Sequence, residues 1–336
     1  MTELRSRVAV ISTGGTIAME GAHRFDWLAY GSNGKVNPVA EICAALDLAL
    51  PGIDIVPVTL KALPSTGIQP TDWLDLAHSI RALLATDEAM DGVVVTHGTA
   101  SLEETAFFLH LVHKGRQPII VTGAQRPPNT ASSDAAANLR MAISCAADQR
   151  LSGAGALVCF NGLLHLAVDV TKTSNFGLDA FQSPSLGPVG RFDPDGELLF
   201  LHAPTGRLAG LFGDLDTSTP LPRVDIVVSY AGADGVAVEA FLAAGAKGLV
   251  SAGFPPGRSA NKERAALEKA AANGALVIQC SRALRDRTPL QAYNSNVKVL
   301  SGGCMAPNKA RIAAMLAIAT GMGRDELQSC LLAQAL

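Results

Sequence analysis

Short apolar segments rich in β-branched residues alternate with helix-like segments, and this order constrains the fold more than any other feature of the sequence. The short segments predict strands, and the stretches between them have the longer apolar spacing of amphipathic helices. Strands separated by helices pair in parallel with helices on both faces, so we expect an α/β fold with a mostly parallel sheet. The predicted strands cover residues 8–12, 53–59, 93–96, 118–122 and 156–160, and the predicted helices cover 39–48, 72–84, 102–113 and 134–147.

The chain has 336 residues, 48% of them apolar, which is too long for one small core, and we expect two domains. Prolines and glycines interrupt any long element between residues 192 and 222. The strand and helix alternation then resumes, with predicted strands at 224–229, 248–251 and 276–280. We therefore predict a larger N-terminal domain over residues 1–200, a linker over 201–222 and a smaller α/β domain over 223–336.

The charge pattern indicates a small-molecule substrate rather than a nucleic acid or a membrane. The net charge is −3, and no block of five like charges occurs. No stretch approaches the roughly 20 apolar residues of a membrane span, and the apolar run near the start is too short for a secretion signal. We expect a cytoplasmic protein with no nucleic-acid or membrane partner.

Neither a metal nor a cofactor is expected. The six cysteines are scattered without a Cys-x-x-Cys pair, and the seven histidines show no His-Glu-x-x-His spacing. The cysteines are therefore interpreted as buried free thiols.

Three predicted strands end in turns rich in hydroxyl groups. The turns read TGGTIA at 13–18, ALPSTG at 62–67 and THGTAS at 96–101, and they bring Thr16, Ser65, Thr66 and Thr99 to one edge of the sheet. Ligands bind at this edge in open α/β sheets. Phosphate-binding glycine loops and the Gly-x-Ser-x-Gly turn of α/β-hydrolases do not match these spacings.

Clustered hydroxyls indicate nucleophilic catalysis without a metal, although TGGT alone would also suit an ordinary glycine turn. A hydroxyl needs a nearby base to take its proton. Lys172, at the end of another apolar stretch, is the candidate base, although most lysines are solvated surface groups.

Four motifs together resemble the bacterial L-asparaginases of the type I and II superfamily. They are TGGTIA, THGT followed by EET, GAQRP with SSDAAANL, and DVTKT, and they occur in the same order. The similarity extends from about residue 8 to residue 311. It implies an amidohydrolase and a homotetramer built from intimate dimers.

The resemblance also implies catalytic roles. Thr16 matches the nucleophile, and Tyr30 matches a tyrosine on a mobile lid, here residues 22–34. Thr99 and Lys172 match a second hydroxyl and its base, a lysine whose pKa burial lowers. The implied reaction is attack on a side-chain carboxamide, loss of ammonia and hydrolysis of an acyl-enzyme ester.

The implied substrate-binding groups are only partly kept. Ser65 matches the serine that holds the substrate α-carboxylate, and backbone N–H groups around Gly15 and Gly98 are expected to hold the carboxylate and the oxyanion. Three positions depart from the family pattern of an α-ammonium site: Ala100 replaces an aspartate, Thr66 a glutamine and Gln291 a glutamate from the neighbouring subunit. The family's GNGN turn is here GFPPG, residues 253–257.

These departures leave three interpretations open. The chain hydrolyses L-asparagine, as the family does by default, or it hydrolyses a related carboxamide that lacks a free α-ammonium. A non-catalytic sensor of a small carboxylate is the third. Because Thr16, Tyr30, Thr99 and Lys172 are all present, the sequence favours an enzyme.

Overall fold

The computed structural model describes residues 5–33, 35–46, 48, 50–60, 62, 65–87, 89–213, 215–290 and 298–333. The chain divides into two compact units, Met1–Thr217 and Ser218–Leu336. The division falls inside the stretch 201–222 that the sequence predicts as a linker. The ends of that linker stay a prediction.

One large sheet forms the centre of the first unit. The strands described in this unit are β1 Ser6–Ser12, β2 Ile53–Thr59, β3 Gly92–Thr96, β4 Ile119–Thr122, β5 Ala156–Phe160, β6 Leu163–Leu166, β7 Thr171–Lys172, β8 Phe181–Gln182, β9 Gly190–Phe192 and β10 Leu198–Phe200. Eight of them form a sheet in the order β10-β9-β6-β5-β4-β3-β1-β2, and β7 pairs with β8 separately. Strands β1 to β5 are parallel, while β6, β9 and β10 add antiparallel pairs.

Helices accompany the parallel strands, so the expected α/β class is confirmed. They are α1 Val39–Ala45, α2 Pro70–Thr86, α3 Leu102–Val112 and α4 Ala135–Ala147. Helix α2 begins two residues before its predicted start, because the Asp72 carboxylate accepts the backbone N–H of Gln69 at 2.8 Å and Pro70 suits the first helical position. The antiparallel strands β6, β9 and β10, of three or four residues each, were not predicted.

The strand order places a crevice between the ends of β1 and β3. The chain moves from β1 to β2 on one side and returns to β3 on the other, so the connections diverge there. Such a switch point is where open α/β sheets bind ligands. Ser12 at the end of β1 pairs with Thr96 at the end of β3, so the two following turns leave the sheet at the same level.

The second unit is a smaller parallel sheet with its own core. Val238, Leu249, Leu267 and Val277 are buried together in that core. The strands β11 Val224–Val228, β12 Gly248–Gly253, β13 Leu276–Ser281 and β14 Val299–Ser301 lie in chain order, with helices α5 Val236–Ala243, α6 Asn261–Ala272, α7 Pro307–Thr320 and α8 Arg324–Leu332. The expected smaller α/β domain is therefore present. No helix among the described residues is both long and apolar enough to cross a membrane.

A buried chain of hydrogen bonds supports the turn after β3. Trp73 Nε1 donates to Thr105 Oγ1 at 2.9 Å, Thr105 Oγ1 lies 2.9 Å from His97 Nε2, and His97 Nδ1 lies 2.8 Å from the Gly98 carbonyl oxygen. An indole only donates and a carbonyl only accepts, so Thr105 donates to Nε2 and Nδ1–H donates to Gly98. Burial lowers the pKa of His97 to about 4, which keeps the imidazole neutral at neutral pH.

Replacing Thr105 by valine should break this chain. The Trp73 N–H and His97 Nε2 would both stay buried without a partner, so we expect the free energy of unfolding to fall by about 1–3 kcal/mol. Urea titration measures the loss. Thr86→Val is the matched control, because Thr86 is exposed and its hydroxyl binds only backbone carbonyls of its own helix; this change should stay within about 0.5 kcal/mol. Equal losses in the two variants would contradict the role given to Thr105.

Candidate active site

The turns after β1, β2 and β3 meet at two glycines. Gly15 has a positive φ of 84°, and a Cβ added to it would overlap the backbone of Gly98. A Cβ on Gly98 would lie 2.6 Å from the Cβ of Ser65. Ser101 Oγ donates to the Ser65 carbonyl oxygen at 2.5 Å and ties the second turn to the third. The three turns that the sequence singles out therefore converge.

Ser101 has a different partner from the one expected of a capping residue. SLEE at 101–104 has the spacing of a capping box, yet the Ser101 side chain makes no hydrogen bond to the helix N-terminus. Its hydroxyl instead binds the neighbouring turn. The Ser101 side chain is therefore held by a tertiary contact with the turn after β2 rather than by its own helix.

Thr16 lies beside Tyr30. Thr16 is buried at the start of a short 3-10 helix, Thr16–Ala18, and its Oγ1 is 2.8 Å from the Tyr30 hydroxyl oxygen. Tyr30 begins a second short 3-10 helix, Tyr30–Asn33, in the stretch predicted as a lid. Asp26 is also buried in this stretch, and its carboxylate accepts the backbone N–H groups of Ala22 and Ala29 at 2.9 and 2.8 Å.

Thr99 lies beside Lys172. Lys172 Nζ donates to Thr99 Oγ1 at 2.6 Å and to Gln125 Oε1 at 3.1 Å, and the Lys172 backbone N–H donates to Glu103 Oε2 at 2.7 Å. Burial lowers the pKa of the Lys172 ammonium, and the nearby Glu103 carboxylate partly opposes that shift. A lysine that loses its proton more easily can take one from the hydroxyl that it contacts.

The predicted substrate-binding residues have different positions. Ser65 is half-buried and Thr66 is exposed in the turn after β2, while Ala100 is exposed in the turn after β3. Gln291 lies outside the described residues. Ser65 and Ala100 thus lie in two of the three converging turns, but the role of each in binding stays a prediction.

Sequence reasoning missed the role of Gln125. Besides accepting from Lys172, its side-chain amide donates to the carbonyl oxygens of Asn175 and Gly177 at 3.2 and 3.1 Å. The sequence did offer an indication of this role, because GAQRP (residues 123–127) directly follows β4 and so lies at the same sheet edge as the three turns. Gln125 fixes the Lys172 head group against the loop that follows β7.

Within the part of the chain that the structure describes, no group of three or more His, Cys, Asp or Glu side chains could hold a metal ion. The six cysteines all lie in described positions and are free thiols; three of them, Cys145, Cys159 and Cys280, are buried.

Comparison with known proteins covers both units. The family descriptions that match are "Asparaginase, N-terminal" over residues 7–205 and "Glutaminase/Asparaginase C-terminal domain" over residues 223–331. The glutaminase-asparaginase of Pseudomonas fluorescens biotype A is 33% identical over 96% of this chain and 89% of its own length. L-asparaginase 2 of Escherichia coli is 32% identical over 96% of this chain and 91% of its own.

A solved structure is similar over the same extent. The probable cytoplasmic L-asparaginase of Campylobacter jejuni is 30% identical, with a TM-score of 0.85 over 98% of this chain and 99% of its own. Both halves of the chain thus match one family in sequence, and the fold matches a solved member. The chain belongs to the asparaginase family and is an asparaginase-type amidohydrolase.

Proposed function

We propose that this amidohydrolase cleaves a side-chain carboxamide through an acyl-enzyme on Thr16. The observation that carries the proposal is the pairing of two buried threonine hydroxyls with separate proton partners, Tyr30 and Lys172, at the switch point between β1 and β3. A nucleophile and a proton acceptor within hydrogen-bond distance are what covalent hydroxyl catalysis requires.

The two pairs suit the two halves of the reaction. In the first half, Thr16 Oγ1 attacks the amide carbon, Tyr30 takes its proton as a proton passes to the leaving nitrogen, and ammonia departs. In the second half, water attacks the ester, Thr99 and Lys172 take its proton, and the Thr16 oxygen leaves with a proton. The sum is carboxamide plus water giving carboxylate and ammonia. Thr99 as the first nucleophile, activated by Lys172, is the alternative assignment.

The substrate is proposed to be held at its carboxylate rather than at an ammonium. Ser65 and the backbone N–H groups around Gly15 and Gly98 are proposed to hold the carboxylate and the oxyanion. Ala100 and Thr66 offer no charge for a cation. Three described carboxylates around the turns accept N–H groups: Asp26 in the lid, Glu103 beside Lys172, and Asp134 from Gln125 and Arg126.

A carboxamide without a free α-ammonium is therefore the preferred substrate in this proposal, and L-asparagine the poorer one. An ammonia-release assay over a panel of amides tests this preference, and release from none of them would contradict the proposed hydrolysis.

The assembly and location are also proposals. The family resemblance supports a homotetramer of intimate dimers, and light scattering at micromolar concentration distinguishes this from a monomer. A cytoplasmic location is supported by the description of the Campylobacter jejuni relative as probably cytoplasmic.

Thr16→Val should lower turnover by about 10³-fold or more, because it removes the nucleophile while nearly keeping the side-chain volume. Thr16→Ser is the matched control and should retain part of the activity. Ammonia release measures both, and thermal unfolding verifies the fold. Activity of Thr16→Val within tenfold of wild type would move the nucleophile to Thr99.

Lys172→Met should lower kcat strongly with a smaller change in KM, because proton transfer acts mainly in the transition state. Lys172→Arg tests charge separately. A guanidinium keeps the positive charge but does not lose its proton, so this variant should be similarly slow. Steady-state kinetics on the best amide give both constants. Full kcat in the arginine variant would show that Lys172 acts only through its charge.

Ala100→Asp should shift preference towards L-asparagine. In the wild-type site, the α-ammonium of L-asparagine has no carboxylate partner at residue 100. The lost interaction is worth roughly 2–5 kcal/mol, which lowers the affinity for L-asparagine by about 30- to several-thousand-fold. Wild type should therefore show a higher kcat/KM for succinamic acid or an N-acylated asparagine than for L-asparagine. Ala100→Asn controls for size without charge. A sub-millimolar KM for L-asparagine in wild type, with no turnover of those analogues, would contradict the proposed substrate class.

A further inference from the structure

Large apolar side chains are exposed together beside the catalytic groups. Their exposed fractions are Phe25 63%, Trp27 37%, Leu28 78% and Phe176 68%. All four line one cavity of about 440 Å³, together with His23, Asp26, Ala29, Gln125 and Arg126. Apolar groups that are grouped in this way on a surface mark a site that a ligand or a partner covers.

The walls of this cavity are held in place. The Arg126 guanidinium carbon lies 4.1 Å from the centroid of the Trp27 ring, a cation–π distance. Phe25 meets Trp27 edge-on, with ring centroids 6.0 Å apart and an interplanar angle of 82°. Asp26, between the two rings in sequence, is fixed by its backbone hydrogen bonds. The Phe25 and Trp27 rings are therefore positioned before any ligand arrives.

Both walls continue into the catalytic groups. Gln125 lines the cavity and accepts from Lys172 Nζ, while its amide nitrogen binds the carbonyl groups on either side of Phe176. On the other wall, Ala29 is followed directly by Tyr30, which contacts Thr16. A substrate group that extends from the nucleophile would reach this cavity between the two walls.

We propose that the cavity is the subsite for an aromatic acyl group on the α-nitrogen of the substrate, so that the enzyme acts on N-aroyl asparagine-type carboxamides. This inference rests on the proposed carboxamide hydrolysis. Acylation converts the ammonium into a neutral amide, which suits turns in which Thr66 and Ala100 carry no charge. A cavity of about 150 Å³ accepts benzene, so 440 Å³ has room for a phenyl ring and its linking carbonyl group.

Ammonia release from N-benzoyl-L-asparagine, N-acetyl-L-asparagine and succinamic acid tests the subsite. We expect kcat/KM for the benzoyl compound to exceed that for the acetyl compound by about tenfold or more, since a stacked, buried ring adds that much affinity. Trp27→Ala should lower this ratio about tenfold. Leu201→Ala, which removes an exposed leucine outside the cavity, should leave the ratio and the basal activity unchanged.

Three results would overturn the subsite. One is a wild-type ratio near one. Another is an equal loss on all three substrates in Trp27→Ala, which would mean that Trp27 only positions the lid. A drop in assembly mass in Trp27→Ala with an unchanged ratio would likewise overturn it, by assigning the apolar patch to a subunit contact.

Binding of the reaction products separates this inference from the proposed function. N-Benzoyl-L-aspartate should quench tryptophan fluorescence in Thr16→Val more strongly, and at lower concentration, than N-acetyl-L-aspartate. The chain has two tryptophans, of which Trp73 is buried, so Trp27→Phe should remove most of the response. If no amide releases ammonia but the benzoyl product still binds preferentially, the subsite stands and hydrolysis fails. If amides are hydrolysed without benzoyl preference in either measurement, only the subsite fails.

Discussion

The close approach of two turns, at Gly15 and Gly98, is the constraint on which the site depends. Strands β1 and β3 are in register at Ser12 and Thr96, so their turns start side by side. A side chain on either glycine would force the turns apart, because each added Cβ would overlap a neighbouring turn. With both glycines present, Thr16 and Thr99 come from adjacent turns. The His97 hydrogen-bond chain then holds the Gly98 carbonyl group from within the core.

The Thr16 and Thr99 hydroxyl groups contact different partners, so they differ in how each can exchange a proton. Tyr30 is a neutral hydroxyl that can pass a proton in either direction, and either oxygen of the Thr16–Tyr30 pair can donate. Lys172 carries a charge that burial disfavours, so the neutral amine, which can accept a proton from the Thr99 hydroxyl that it contacts, is easier to form. Glu103 limits that effect, since its carboxylate stabilises the ammonium. In the proposed mechanism, the balance between burial and one carboxylate sets how readily Lys172 acts as a base.

The parts of the structure that were predictable from sequence are those fixed by local pattern. Strands β1 and β3 to β5 are buried on both faces and read as continuous apolar runs, so their turns could be placed at one edge. Thr16 and Thr99 followed from that placement, whereas Lys172 was one candidate base that only the family resemblance assigned to Thr99, because it meets Thr99 from 73 positions away. Gln125 was missed because its contact with Lys172 also spans the sheet edge. The aromatic residues of the lid were missed because the segment was interpreted only as a flexible polar loop.

In the proposed mechanism, the segment predicted as a lid joins substrate recognition to catalysis. Trp27 forms a wall of the apolar cavity, Asp26 fixes the backbone from Ala22 to Ala29, and Tyr30 follows with its hydroxyl on Thr16. An aromatic group seated against Trp27 would hold this segment closed and keep Tyr30 at the distance that proton transfer needs. Binding energy from the aromatic group would then raise kcat, because it positions Tyr30, a group proposed to act in the transition state. If the proposed subsite is occupied in this way, the site would not depend on an ammonium anchor at residue 100, since the substrate would be oriented from its acyl end.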